Sequence, residues 1–132
     1  DAPDEGDADA VAAVNTACAM SIAFADLVER WTPRWQKRMP DDITIGLGCG
    51  IHTGEALVGN IGTELRKEYT ALGPHVNFAQ RLVMTAESGD IIVSASTKTM
   101  VRNKFHLTPK GVLRDVRNIP GAFKIWKVEG KK

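Results

Sequence analysis

Residues 43–51, ITIGLGCGI, alternate strictly, with Ile43, Ile45, Leu47, Cys49 and Ile51 on one side and Thr44, Gly46, Gly48 and Gly50 on the other. A period of two is that of a β-strand, whose successive side chains point to opposite faces. Here one face is apolar and the other almost bare. A row of strand glycines lets another body approach the backbone closely, either a packed helix or a ligand. The fold must bury the apolar side and bring something against the bare one.

The flanking sequence supplies the other elements. HTGE, residues 52–55, is a turn signal, and EALVGN, residues 55–60, reads as a returning strand that forms a hairpin with the first. IGTELRKE, residues 61–68, is polar and reads as an exposed flap, followed by a third strand from Glu68 to Leu72. Pro74 suits the first turn of a helix, which the pattern carries through Ala86. Upstream, Val11, Val14, Cys18, Ile22 and Ala25 recur at spacings of three and four, which predicts a helix to about Trp31 that Pro33 bends or ends. Downstream follow a strand at 91–94, a helix from Ala95 to Val101, a strand around Phe105 to Thr108 and a last strand at 122–128. This order predicts an α/β (α+β) sandwich, one largely antiparallel sheet with helices on one side. A chain of 132 residues can bury its own core, so 1–132 reads as one domain.

The formal charge of +1 gives no general attraction to nucleic acid, and the single Tyr and four Phe do not cluster as a base-stacking sheet would need. Charge is nonetheless uneven. Residues 1–30 hold seven acids and one base, whereas residues 98–132 hold ten bases and two acids, a segment that either meets phosphate or is a solvated face. Cys18 and Cys49 have neither metal-ligand nor C-x-x-C spacing and are expected to be reduced and structural. The small-apolar run from Ala10 to Ala25 is interrupted by Asn15, Thr16 and Ser21 and lacks a basic flank. The domain is therefore expected to be soluble and cytoplasmic, without direct membrane contact, though a longer parent chain could carry an anchor.

Asn77 and Arg81 stand four apart on the helix after Pro74, hence on one face and about 5–6 Å apart at Cβ. They read either as a surface arginine with an asparagine near a helix start, or as a guanidinium fork and an amide suited to a phosphate ester and its sugar. His52, His75 and His106 have no carboxylate or cysteine partner at a recognisable spacing. No phosphate-cradling P-loop, dinucleotide fingerprint, zinc-protease motif or serine-hydrolase motif is present.

The stretch GIHTGEALVGNIGTELRKEYTALGPHVNFAQRL, from Gly50 to Leu82, resembles the central part of the class III nucleotidyl cyclases, the adenylate and guanylate cyclases. Gly50, Ile51, Gly54, Gly59, Asn60, Gly62, Tyr69, Thr70, Gly73, Val76, Asn77, Ala79, Arg81 and Leu82 carry the match. Downstream, SGDIIVSASTKTMV and FHLTPKGVLRDVRNIPGAFKIWKV are similar to the family's later strands and helix. The resemblance implies a ferredoxin-like sandwich of the cyclase type, lacking its first strands, and conversion of ATP to cyclic AMP and pyrophosphate in an intact parent. It implies that Asn77 orients the ribose and Arg81 stabilises the pentavalent α-phosphate. Thr70 matches a base-selecting position and favours adenine; Arg117 falls near a residue that holds the triphosphate, with Arg114 its rival. The family's Mg or Mn ions are held by two aspartates in segments this chain lacks, so it supplies no metal ligand, and Asp1, Asp4 and Asp7 are not assigned as such. The family's site lies between two protomers, so ATP and a second cyclase protomer are the expected partners, and this chain alone is expected to be inactive. The alternative is a non-catalytic cyclase-like nucleotide-binding or dimerisation module.

Overall fold

The computed structural model describes residues 5–35 and 45–132. Helix α1 (Glu5–Trp35) leads to β1 (Cys49–Ile51), the hairpin β2 (Leu57–Thr63) and β3 (Arg66–Leu72), and α2 (Pro74–Thr85). Then come β4 (Ile91–Ser94), α3 (Ala95–Val101), β5 (Phe105–Val116) and β6 (Ile119–Lys131). Four strands form a sheet in the order β1-β4-β6-β5, with β1 parallel to β4 and the other pairs antiparallel. The mixed α+β class and mainly antiparallel sheet agree with the expectation.

β4 explains how the layers stack. Its residues Ile91, Ile92, Val93 and Ser94 are all buried, so both faces of the sheet are covered there. Ile91 and Val93 join Ala10, Val14, Ala17, Val101 and Phe105 in one core cluster, which seats α1 and α3. Ile92 joins Phe78, Leu82, Leu113 and Ile125 in a second cluster, which seats α2. Helices thus lie on both faces rather than on the single face expected, because the continuous apolar run of β4 needs partners on each side.

The predicted hairpin between the Gly-rich strand and residues 55–60 does not form. β1 pairs with β4, whereas β2 pairs with β3 in a separate two-stranded sheet, from Leu57 opposite Leu72 to Thr63 opposite Arg66. The predicted flap is mostly paired strand, and only Glu64 and Leu65 form its turn. Regular strand is confined to Cys49–Ile51 of the alternating stretch, and its first residues, 43 and 44, lie outside the described segments.

α1 continues through Pro33 to Trp35, beyond the expected end. Its apolar stripe is also displaced. Ala10, Val14 and Ala17 are buried with Val11 and Cys18 beside them, but Ile22 is 73% exposed. By length and composition alone α1 is long and apolar enough to cross a bilayer. Its first half is nonetheless part of the core described above. Cys18 and Cys49 are free and partly buried against the same cluster, and burial, then the proximity of Cys18, pushes the Cys49 thiol up.

Candidate active site

α2 begins at Gly73, whose φ of 138° is left-handed territory that suits glycine, and Pro74 occupies the first turn. The N–H groups of Val76 and Asn77 both reach the Gly73 carbonyl, at 3.2 and 3.3 Å, and no side chain caps the helix. Phe78 and Leu82 are buried toward the sheet. The i, i+4 geometry sets Asn77 and Arg81 together on another part of the helix, both partly buried.

Arg81 is not a free surface side chain. Its Nη2 donates to the carbonyl of Arg114 on β5 at 3.2 Å, and its Nε is buried without a hydrogen-bond partner among the described residues. One arm of the guanidinium is therefore pinned against the sheet, which fixes the direction of the fork. Arg114, the rival for triphosphate binding, thus contributes its backbone here. Arg117 is exposed in the tight turn between β5 and β6, flanked by Asp115 and Asn118 at φ of 58° and 66°. Both are residue types that tolerate this conformation. The Arg81 contact brings α2 to the β5 strand that leads into this turn.

Thr70 lies on β3, opposite Gly59 of β2 and seven residues before Asn77. A Cβ built at Gly59 would meet nothing within 4 Å, so the space opposite Thr70 is open. The hairpin leaves large apolar side chains in solvent, with Leu57 70% and Tyr69 75% exposed on its opposite faces and Leu65 99% exposed in its turn. Among the described residues no three His, Cys, Asp or Glu side chains converge as a metal site would require. The donors present are an amide, hydroxyls and guanidinium groups, so these residues do not fit a pair of divalent cations, which take carboxylate oxygens.

Two clusters have no signal in the sequence spacing. His52 and His75, 23 residues apart, are joined by a hydrogen bond of 2.8 Å between Nε2 of the first and Nδ1 of the second. Burial and then His75 lower the His52 pKa to about 4, so the ring is neutral near pH 7. Separately, Asp90 is buried and accepts from the Glu87 N–H at 3.0 Å, from Lys110 at 3.1 Å and, in an ion pair, meets Lys127 at 3.3 Å. Burial would raise its pKa, but these donors more than offset that and hold the carboxyl below its ordinary range. In turn the Asp90 bond raises Lys110. This cluster ties the turn after α2 to β5 and β6.

Residues 6–128 match the family model described as the adenylate and guanylate cyclase catalytic domain. The chain is 34% identical over 83 residues to adenylate cyclase 1 of Rhizobium meliloti, a match covering 61% of this chain and 12% of that protein. Among solved structures, it resembles the adenylyl cyclase CyaB from P. aeruginosa, with a TM-score of 0.81 and 31% identity over 96% of this chain and 62% of the other. The guanylyl cyclase Cya2 is similar at the same TM-score of 0.81, with 28% identity over 100% of this chain and 64% of that one. The chain thus spans about an eighth of its curated relative and under two thirds of either solved structure.

Proposed function

Given that the chain belongs to the adenylate and guanylate cyclase catalytic domain family, we propose that it forms the phosphate- and ribose-binding half of a nucleotide cyclase site, acting on ATP in the full-length protein. The observation that carries this reading is the fixed fork of Arg81, one helical turn from Asn77 and braced on the Arg114 carbonyl at 3.2 Å. In the reaction the ribose 3′ hydroxyl gives up its proton to solvent as its oxygen forms a bond to the α-phosphorus, the bond to the bridging oxygen breaks, and pyrophosphate leaves with that electron pair. Negative charge builds on the equatorial phosphate oxygens. A preorganised guanidinium placed there stabilises the transition state more than the ground state. Asn77 orients the ribose so that its 3′ oxygen lies in line, and Arg117 meets the departing phosphates from the β5–β6 turn.

Thr70 supports ATP over GTP, because its hydroxyl can accept from the amino group of adenine. The similar structures include both an adenylyl and a guanylyl cyclase, so the preference rests on that residue. A second protomer is the proposed partner, supported by the exposed Leu57, Leu65 and Tyr69 of the hairpin. The apolar side chains that the hairpin exposes also suit a second reading, a non-catalytic nucleotide-binding or dimerisation module. Assay of the full-length protein with ATP and with GTP, in magnesium or manganese, separates the two. The cyclase reading expects cyclic AMP with ATP preferred; no product from either nucleotide leaves the module.

A further inference from the structure

The face of α2 that reaches toward β1 carries an arrangement that the phosphate-site reading does not use. We propose that His52 is a positioning residue, which holds the first turn of α2 through His75 and so sets the attitude of Asn77 and Arg81. The inference rests on the cyclase reading for its catalytic consequence, but its geometry is independent of it.

α2 starts without a side-chain cap, so within the helix its first turn is set by the backbone of Gly73 and Pro74 and no side chain ties it down. His75 supplies the missing tie. Its ring lies over Gly54, where any Cβ would collide with the imidazole, and its Nδ1 meets His52 Nε2 at 2.8 Å. His52 touches the helix a second time, one turn on, by stacking on the buried Phe78 with ring centroids 4.2 Å apart. Phe78 is held in turn by an edge contact to Phe123 at 5.2 Å.

The other end of His52 is anchored in the sheet. Its Nδ1 meets the buried Ser94 Oγ at 2.7 Å, and Ser94 contacts Ser96 at 3.1 Å. Ser96 donates to the Thr53 carbonyl at 3.0 Å, while the Thr53 hydroxyl meets Thr97 at 2.9 Å. This network joins the segment after β1 to the β4–α3 junction. A cavity of about 180 Å³ borders both histidines and Phe78, so packing alone does not fix the His52 ring. The two hydrogen bonds do. A single proton occupies the bond between the rings in either tautomer, and the relay runs unbroken from Ser94 to His75.

The consequence is a division of labour. Arg81 is braced at its tip by the Arg114 carbonyl, whereas the helix start, two residues before Asn77, is braced by His52. Small displacements of groups that act only in the transition state lower kcat steeply. Loss of the relay is therefore expected to act on kcat more than on KM.

The test uses the full-length protein with His52→Phe, which keeps a ring on Phe78 and removes both hydrogen bonds, and with His75→Phe and His75→Asn. Amide exchange at Val76 and Asn77 is expected to quicken about 5–10-fold in His52→Phe. The kcat is expected to fall about 10-fold with KM within about twofold, for either Phe variant. The double variant is expected to be no worse than about twofold below the singles, since both cut one connection. His75→Asn retains an amide near the Nδ1 position and is expected to recover to within about threefold of wild type. Unchanged exchange at Val76 and Asn77 overturns the anchor. Faster exchange with unchanged kcat, or losses that add and follow only the folded fraction, overturns the positioning role. Arg81→Ala assayed alongside judges the cyclase reading separately: full kcat there removes that reading whatever the exchange data show.

Discussion

Gly50→Ala is the most direct perturbation of the way this fold presents its site. A Cβ at Gly50 would lie 2.6 Å from Val83 N, 2.9 Å from Leu82 Cβ and 3.0 Å from Ala79 O. Favourable carbon contacts lie near 3.5–4.0 Å, so α2 would have to retreat from β1 by about 0.5–1 Å. No rotamer can relieve this, because every atom met is backbone or Cβ. Overpacking of this kind costs about 1–3 kcal/mol, and the rigidity of the neighbours places this case at about 2–3. For a domain of this size that corresponds to a fall of roughly 6–12 °C in Tm. Thermal unfolding followed by circular dichroism measures it, with Gly59→Ala as the control. The control Cβ meets nothing within 4 Å, and its Tm is expected to change by less than about 2 °C. The same retreat moves Asn77 and Arg81, so any activity of the full-length protein should fall beyond the loss of folded protein. A Gly50→Ala variant as stable as wild type would refute the packing of α2 on β1 described above.

Two further outcomes follow from the buried polar groups. The His52 pKa is lowered to about 4 from an ordinary 6.5, so between those values the unfolded chain binds more protons than the folded one. The stability from neutral His52 is thus complete above about 6.5 and is lost as pH falls toward about 4. A fully buried ring would contribute roughly 3 kcal/mol; solvent screening of this half-buried one reduces that to about 1–2, measured as the wild-type loss that His52→Phe does not show between pH 6.5 and 4.5. Asp90→Asn removes the charge that Lys110 and Lys127 share and is expected to cost about 2–3 kcal/mol in urea unfolding, changing little between low and moderate salt because the carboxyl is buried. A cost below about 0.5 kcal/mol would mean that the two lysines do not hold it.

The sequence made much of this legible through local rules. The Gly-Pro start of α2, the apolar run of β4 and the short helix α3 each follow from a handful of adjacent residues, and the structure reproduces them. The bare glycine face posed a choice between helix and ligand; at Gly50 the answer is α2, whose backbone fills the space. Strand partnership differs from the expected hairpin for a physical reason. A turn signal at residues 52–55 reports a change of direction, not which strand lies alongside, and β1 finds β4 some forty residues away. Ile22 fits the helical period of α1 but lies beyond the stretch that packs in the core, so periodicity there exceeds contact. The Asn77–Arg81 pair was visible because helical spacing is local. The bond of Arg81 to Arg114, the His52–His75 relay and the Asp90 cluster join residues 20 to 37 positions apart, and no spacing rule announces them.

If Arg81 serves a reacting phosphate, the kcat of Arg81→Ala in the full-length protein measures it. With ATP as substrate, kcat is expected to fall about 10²–10³-fold while KM changes little, as for removal of one donor that acts on developing charge. Loss of the bond to the Arg114 carbonyl is expected to lower stability by only about 0.5–1.5 kcal/mol, so the folded fraction at assay temperature should stay nearly complete. A variant that keeps full kcat, or loses activity only in step with folded protein, would contradict the account and leave α2 as scaffold.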